Sequence, residues 1–213
     1  MRSLQDWKEN TMLHKKLENY QIILASSSPR RANILKQLGL KFEQISPEID
    51  EDIFIADPQK PNKYVERIAV AKFMSVLKSL QEVPGNRIII GLDTIVYLED
   101  TILGKPKDSK EAYEFLKKLS GKTHIVYTGF AGEIVKDDKT NIFLFSEKTS
   151  VKFSKITDEE IYSYIETKEP LDKAGAYGIQ GYGSQFIEKI NGCYFNVMGF
   201  PVNLFYKLIR GKI

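Results

Sequence analysis

The segment RIIIGLDTIVY, from Arg87 to Tyr97, is the most apolar stretch of the chain, and a single carboxylate, Asp93, interrupts it. A continuous apolar run rich in β-branched residues is the pattern of a strand covered on both faces, which requires helices above and below it. The remaining sequence supplies them in alternation. Strands are expected at Gln21 to Ala25, at Phe42 to Ser46, as a pair across His124 to Phe153 turning at Lys136 to Lys139, and near Phe186 to Ile190. After a turn at Ser27 to Pro29, helical spacing is expected through Ile34, Leu35 and Leu38 until Gly39 stops it, and again at Tyr64 to Leu80, Ser109 to Leu119, Asp158 to Glu166 and Pro201 to Ile209. Strands and helices interleave without internal repeats, so the chain is read as α/β with its sheet between helical layers.

Composition bounds what such a chain does. With 213 residues and a hydrophobic fraction of 42%, it can bury a substantial core. A net charge of +3 is too mild for a nucleic-acid-binding face, so any anion site must be local. The single Cys193 rules out an internal disulfide and an all-cysteine zinc site, and points to a reducing, cytoplasmic setting. His14 and His124 lack the spacing of a metal pair. No apolar run reaches the ~18 residues of a membrane span, and the first residues lack the apolar core of a secretory signal. Residues 1–20 are read as an N-terminal extension with a short helix, and residues 21–213 as a single domain.

Several charged residues do not fit their surroundings. Asp93 is costly to bury unless it is paired or holds a cation, which makes it a candidate site; alternatively, Gly91 ends the strand and Asp93 caps a turn. One residue of the acidic group Glu48, Asp50, Glu51 and Asp52 joining Asp93 would make a hard oxygen site suited to Mg2+ or Mn2+, although such a run is usually a solvated loop. Arg30 and Arg31 follow Ser26, Ser27, Ser28 and Pro29 into the first turn of a helix, where the helix end disfavours cations. A bound phosphate would offset that repulsion; solvated arginines behind capping serines are the other reading. Lys72 among small apolar residues, Lys105 in GKP and Lys173 in DKAG complete a set that describes a polyphosphate pocket, with cations for the anionic oxygens and carboxylates for a metal. The glycine-rich AGAYGIQG lacks the lysine and hydroxyl of a P-loop.

The blocks LASSSPRR, SPEIDE, AVAKF, GLDTIV, LGKP, LSGKTHIVYTG and EPLDKAGAYGIQG, in that order, resemble the Maf family of nucleoside triphosphate pyrophosphatases, from Ile22 to about Leu208. The resemblance implies an elongated mixed twisted sheet with helices in two lobes around a cleft, similar to inosine triphosphate pyrophosphatases. It also implies hydrolysis of a nucleoside triphosphate to the monophosphate and pyrophosphate with a divalent cation, Mg2+ or Mn2+. By match of motif, Ser26, Arg31, Glu51, Lys72, Asp93 and Lys105 would line the phosphate and metal site, with Asp93 and Glu51 as metal ligands and Asp93 as proton acceptor. Arg30, Thr94 and Gln180 match the branch acting on dTTP and UTP, and Lys173 is placed with them as substrate-binding. Leu92 stands where the family usually has alanine. The alternatives are a pyrophosphatase for 7-methyl-GTP and a cell-division regulator that binds without catalysis. Expected partners are the nucleotide and, as a candidate assembly, a second copy in a homodimer; neither nucleic acid nor a membrane is expected.

Overall fold

A computed structural model describes residues 12–80 and 84–213. Of the expected extension, helix α1 (Leu13–Lys16) is described and packs Leu13 into the core, while residues 1–11 lie outside the described part. The chain then runs β1 (Gln21–Ala25), α2 (Pro29–Gln37), β2 (Glu43–Ile45), α3 (Pro61–Ser79), β3 (Arg87–Leu98), β4 (Thr101–Leu103) and α4 (Ser109–Leu119). It continues through β5 (Thr123–Lys136), β6 (Lys139–Phe153), α5 (Asp158–Glu166), β7 (Ile187–Asn191), α6 (Tyr194–Val197) and α7 (Val202–Lys212).

One seven-stranded mixed sheet organises these elements in the order β2-β1-β3-β5-β6-β7, with β4 also paired to β3. β1 lies parallel to β2 and β3, and from β3 onward the pairing is antiparallel. β3 is buried along almost its whole length, as its uninterrupted apolar run requires. The β5–β6 hairpin turns on Asp137 and Asp138, both with left-handed backbone (φ 48° and 63°), which is what a two-residue turn between twisted strands needs. The β3–β4 hairpin repeats the device with Glu99 and Asp100 (φ 47° and 58°). Side-chain caps fix two helix starts: Asp108 accepts from the Glu111 N–H, and Thr157 with Glu160 forms a capping box.

Two apolar masses flank the sheet's centre. One gathers Ile22, Leu24, Ile34, Leu35, Leu92, Phe130, Phe200 and Phe205; the other gathers Val96, Leu116, Val126, Phe153, Ile161, Tyr164 and Tyr177. A smaller cluster under α3 holds Ile23, Phe73, Val76 and Ile89. β1 pairs with β3 only as far as Gly91, whereas β5 follows β3 on to Tyr97. The strand therefore does not end at Gly91, and Asp93 lies inside it, two residues past the point where its parallel neighbour stops. A cleft opens at that step, at the carboxyl end of a parallel strand, the usual place for a ligand in an open α/β sheet.

Candidate active site

The corner after β1 is held from within. Arg31 is 7% exposed, and its Nη1 donates to Ser26 Oγ (2.8 Å) and the Leu92 carbonyl (3.0 Å), its Nη2 to Thr94 Oγ1 (3.0 Å) and its Nε to the Gly199 carbonyl (2.8 Å). Four N–H donors are thereby engaged by the protein, leaving one on Nη2. Burial lowers the guanidinium pKa to about 10, with nearby Asp93 opposing the shift. Arg31 thus ties β1, α2, β3 and the loop before α7 into one wall. That commitment was not expected from a residue read as a free phosphate ligand.

The opposite wall depends on two glycines. A Cβ on Gly91 would lie 2.4 Å from the Ala69 carbonyl oxygen and 2.6 Å from the Phe73 nitrogen; one on Gly129 would lie 2.4 Å from the Val65 carbonyl oxygen. Gly129 is the cross-strand partner of Asp93, and Gly91 is on the same side of β3, so the sheet face carrying Asp93 lets α3 approach backbone to backbone. Lys72 on α3 consequently reaches across: its Nζ is 2.6 Å from Asp93 Oδ1 and 2.8 Å from Glu51 Oε1. Burial pushes the Asp93 carboxyl above the ordinary carboxylate value, against the pull of Lys72. Burial also opposes the charge on Glu51, but the hydrogen bond to Lys72, helped by Lys105 and Arg31, holds that carboxyl below its usual value. Glu51 opens a 3₁₀ turn, Glu51–Ile53, whose preceding residue Asp50 caps the Asp52 N–H. One residue of the acidic group, Glu51, thus shares Lys72 with Asp93.

A third side comes from the segment after α5. Arg30 points away from Arg31, donating through Nη1 to Asp172 Oδ2 (3.0 Å) and through Nη2 to the Asp172 carbonyl (3.3 Å). Lys173 Nζ reaches the other oxygen of that carboxylate (2.7 Å) and the Glu169 carbonyl (2.6 Å). Thr94 Oγ1 lies 3.0 Å from Thr128 Oγ1, whose hydroxyl donates to the Asn196 carbonyl. Lys105 and Gln180 complete the lining. Ser26, Arg30, Arg31, Glu51, Lys72, Asp93, Thr94, Lys105, Lys173 and Gln180 all border one cavity of about 350 Å³. Sequence reasoning missed Asp172, which pairs two of the cations, and Tyr177, which also borders the cavity; the only signal for either was adjacency to Lys173 or a place in the glycine block.

Chemically, the arrangement gathers cations and hard oxygen donors around a space fit for a polyanion. Lys72 occupies one oxygen of each carboxylate, so Asp93 and Glu51 retain one oxygen apiece. Among the described residues no cluster of three or more histidine, cysteine or acidic side chains could cage a metal. Two carboxylates completed by phosphate oxygens is nevertheless the donor set that Mg2+ commonly uses, so the residues fit such an ion. No helix among the described residues is long and apolar enough to cross a membrane.

Fold and cleft together define a mixed-sheet α/β protein with a cavity lined by cations and carboxylates at the carboxyl end of its parallel strands. The chain belongs to the Maf family: the family's model, described as Maf-like protein, matches residues 21–212. It is 44% identical over 202 residues to a protein of Caldicellulosiruptor saccharolyticus, covering 91% of this chain and 99% of that one. It is 48% identical over 188 residues to one of Thermosipho melanesiensis (88% and 96%), and 42% identical over 190 residues to one of Aquifex aeolicus (89% and 94%). All three relatives are named dTTP/UTP pyrophosphatase.

Proposed function

We propose that this protein hydrolyses dTTP and UTP to their monophosphates and pyrophosphate, clearing nucleotides from the cytoplasmic pool. The observation that carries the reading is the Asp93–Lys72–Glu51 constellation set in the same cavity as Lys105, Arg30 and Lys173. The names of the similar proteins support the same substrates.

Lys72 and Lys105 neutralise the triphosphate oxygens, and Lys72 also keeps the buried Asp93 in place. Asp93 Oδ2, the oxygen that Lys72 leaves open, takes the proton of the water that attacks the α-phosphorus, and the bond to the β-phosphate oxygen breaks to release pyrophosphate. Glu51 would hold Mg2+ or Mn2+ through its remaining oxygen, with Asp93 as the second ligand in the resting enzyme before it takes a proton, and the ion would supply further neutralisation of phosphate charge. Arg31 and Ser26 shape the wall behind the phosphates. At the other end, Arg30 is steadied by Asp172, and the Gln180 amide, with both donors and an acceptor, suits the O4/N3 edge of a pyrimidine.

Pyrophosphate release measured over dTTP, UTP, CTP and 7-methyl-GTP with Mg2+ or Mn2+ tests this reading. Turnover is expected with dTTP and UTP above the other two, and Asp93→Asn should lose nearly all of it. Release from 7-methyl-GTP alone, or wild-type rates in Asp93→Asn, would overturn it.

A further inference from the structure

The glycine-rich segment AGAYGIQGYG resembles a phosphate cradle in composition, yet the anion it wraps is internal. The carboxylate of Glu169 accepts from the Tyr182 N–H (Oε2, 2.9 Å), the Gly183 N–H (Oε1, 3.2 Å) and the Tyr164 hydroxyl (Oε1, 2.9 Å). The Tyr164 oxygen in turn accepts from the Gly178 N–H at 3.1 Å. The glycines are spaced for this purpose. A Cβ on Gly181 would lie 2.4 Å from Glu169 Oε2, one on Gly183 2.5 Å from the Tyr164 hydroxyl, and one on Gly178 3.0 Å from Glu169 Oε1. Gly181 also has left-handed backbone, φ 76°. One carboxylate and one phenol therefore replace what would otherwise be the loop's own packing, and between the two fastened ends, Gly178 and Tyr182, stands Gln180.

We infer that Glu169 is the positioning residue for base selection: it fixes the 178–183 loop so that the Gln180 amide meets the pyrimidine edge in one orientation. The same residue reaches the other specificity contacts, because its carbonyl holds Lys173, which shares Asp172 with Arg30. Glu169 lies outside the Asp93–Lys72–Glu51 group, so its loss should disturb choice of base and leave the phosphate chemistry running. This inference rests on the pyrimidine reading proposed above.

The test compares kcat/KM for UTP and CTP, which share a sugar and differ at the 4-position and N3, in wild type, Glu169→Gln and Tyr164→Phe. In Glu169→Gln the UTP-to-CTP ratio is expected to fall about tenfold, the equivalent of one hydrogen bond, through a higher KM for UTP with kcat for CTP held. Amide hydrogen exchange at Tyr182 and Gly183 should quicken in the same variant. Tyr164→Phe keeps the carboxylate and removes one of its donors, so it should lower the ratio less; it also serves if Glu169→Gln does not fold. A purely structural role would lower kcat for both nucleotides alike and leave the ratio unchanged, overturning the inference. A wild-type enzyme with no preference for UTP over CTP would overturn the reading of dTTP and UTP as the preferred substrates as well; a preference kept intact in both variants would overturn the inference alone.

Discussion

Replacing Gly91 by alanine probes the helix-to-strand approach on which the site depends. The added methyl would sit 2.4 Å from the Ala69 carbonyl oxygen, about 1 Å inside ordinary contact, and the neighbour is helix backbone that cannot rotate away. α3 must therefore lift from β3 by about that distance. Lys72 is 2.6 Å from Asp93 on β3, so a rigid 1 Å displacement takes that contact to roughly 3.6 Å, where a hydrogen bond is lost. Overpacking of this kind costs about 1–3 kcal/mol, which for a chain of this size lowers Tm by about 2–4 °C per kcal/mol. Displacement of a catalytic group by 1 Å costs on the order of 100-fold in rate. Calorimetry and pyrophosphate release from dTTP should show both losses. Gly211→Ala, at a helical glycine with nothing within 4 Å, should show neither. If Gly91→Ala retained wild-type Tm and turnover, the argument that glycine sets the Lys72–Asp93 distance would be refuted.

Three further outcomes follow from other contacts. Arg31→Ala leaves the buried Leu92 and Gly199 carbonyls without their donor, at about 1–3 kcal/mol each, so its Tm should fall by several degrees and all nucleotides should suffer together. Arg30→Ala breaks only a half-exposed pair, so Tm should hold within about 1 kcal/mol while the preference among dTTP, UTP and CTP changes; parallel melts and kinetics distinguish them. Burial lowers the His124 pKa to about 4, so the folded state binds the proton less readily than the unfolded chain, where histidine titrates near 6.5. Stability is then complete above about pH 6.5 and falls as the pH drops toward 4, by up to ~3 kcal/mol; His124→Gln should flatten the fall of Tm with pH over that window.

Elements whose cause is local were legible in the sequence. α4 and α5 fall at the expected residues because their caps and apolar spacing lie within their own turns, and the β5–β6 hairpin turns at Lys136 to Lys139 because two aspartates accept left-handed backbone. β4 was missed: it is three residues long, too short to show alternation. Asp93 stood out because a carboxylate in an apolar strand is anomalous wherever it occurs, and all the residues read as its companions border the same cavity. What the pattern did not carry was who pairs with whom. Gly91 left the alternative of a strand end open because the helix that needs its missing Cβ is separate in sequence, and the partner of Arg30, Asp172, lies 142 residues away.

Arg31 makes the most distant of these connections, since Gly199, which closes its hydrogen bonds, follows it by 168 residues. During synthesis at about 5–20 residues per second, the corner that carries Arg31 leaves the ribosome roughly ten to thirty seconds before its last acceptor exists. Until then the guanidinium is better left in water than buried, so the early β1 and α2 have reason to stay apart from the core they will join. The wall that Arg31 ties together can therefore be completed only once Gly199 has been made. A chain halted before Gly199 would hold every charged residue of the cleft and still lack the wall that keeps them facing one another.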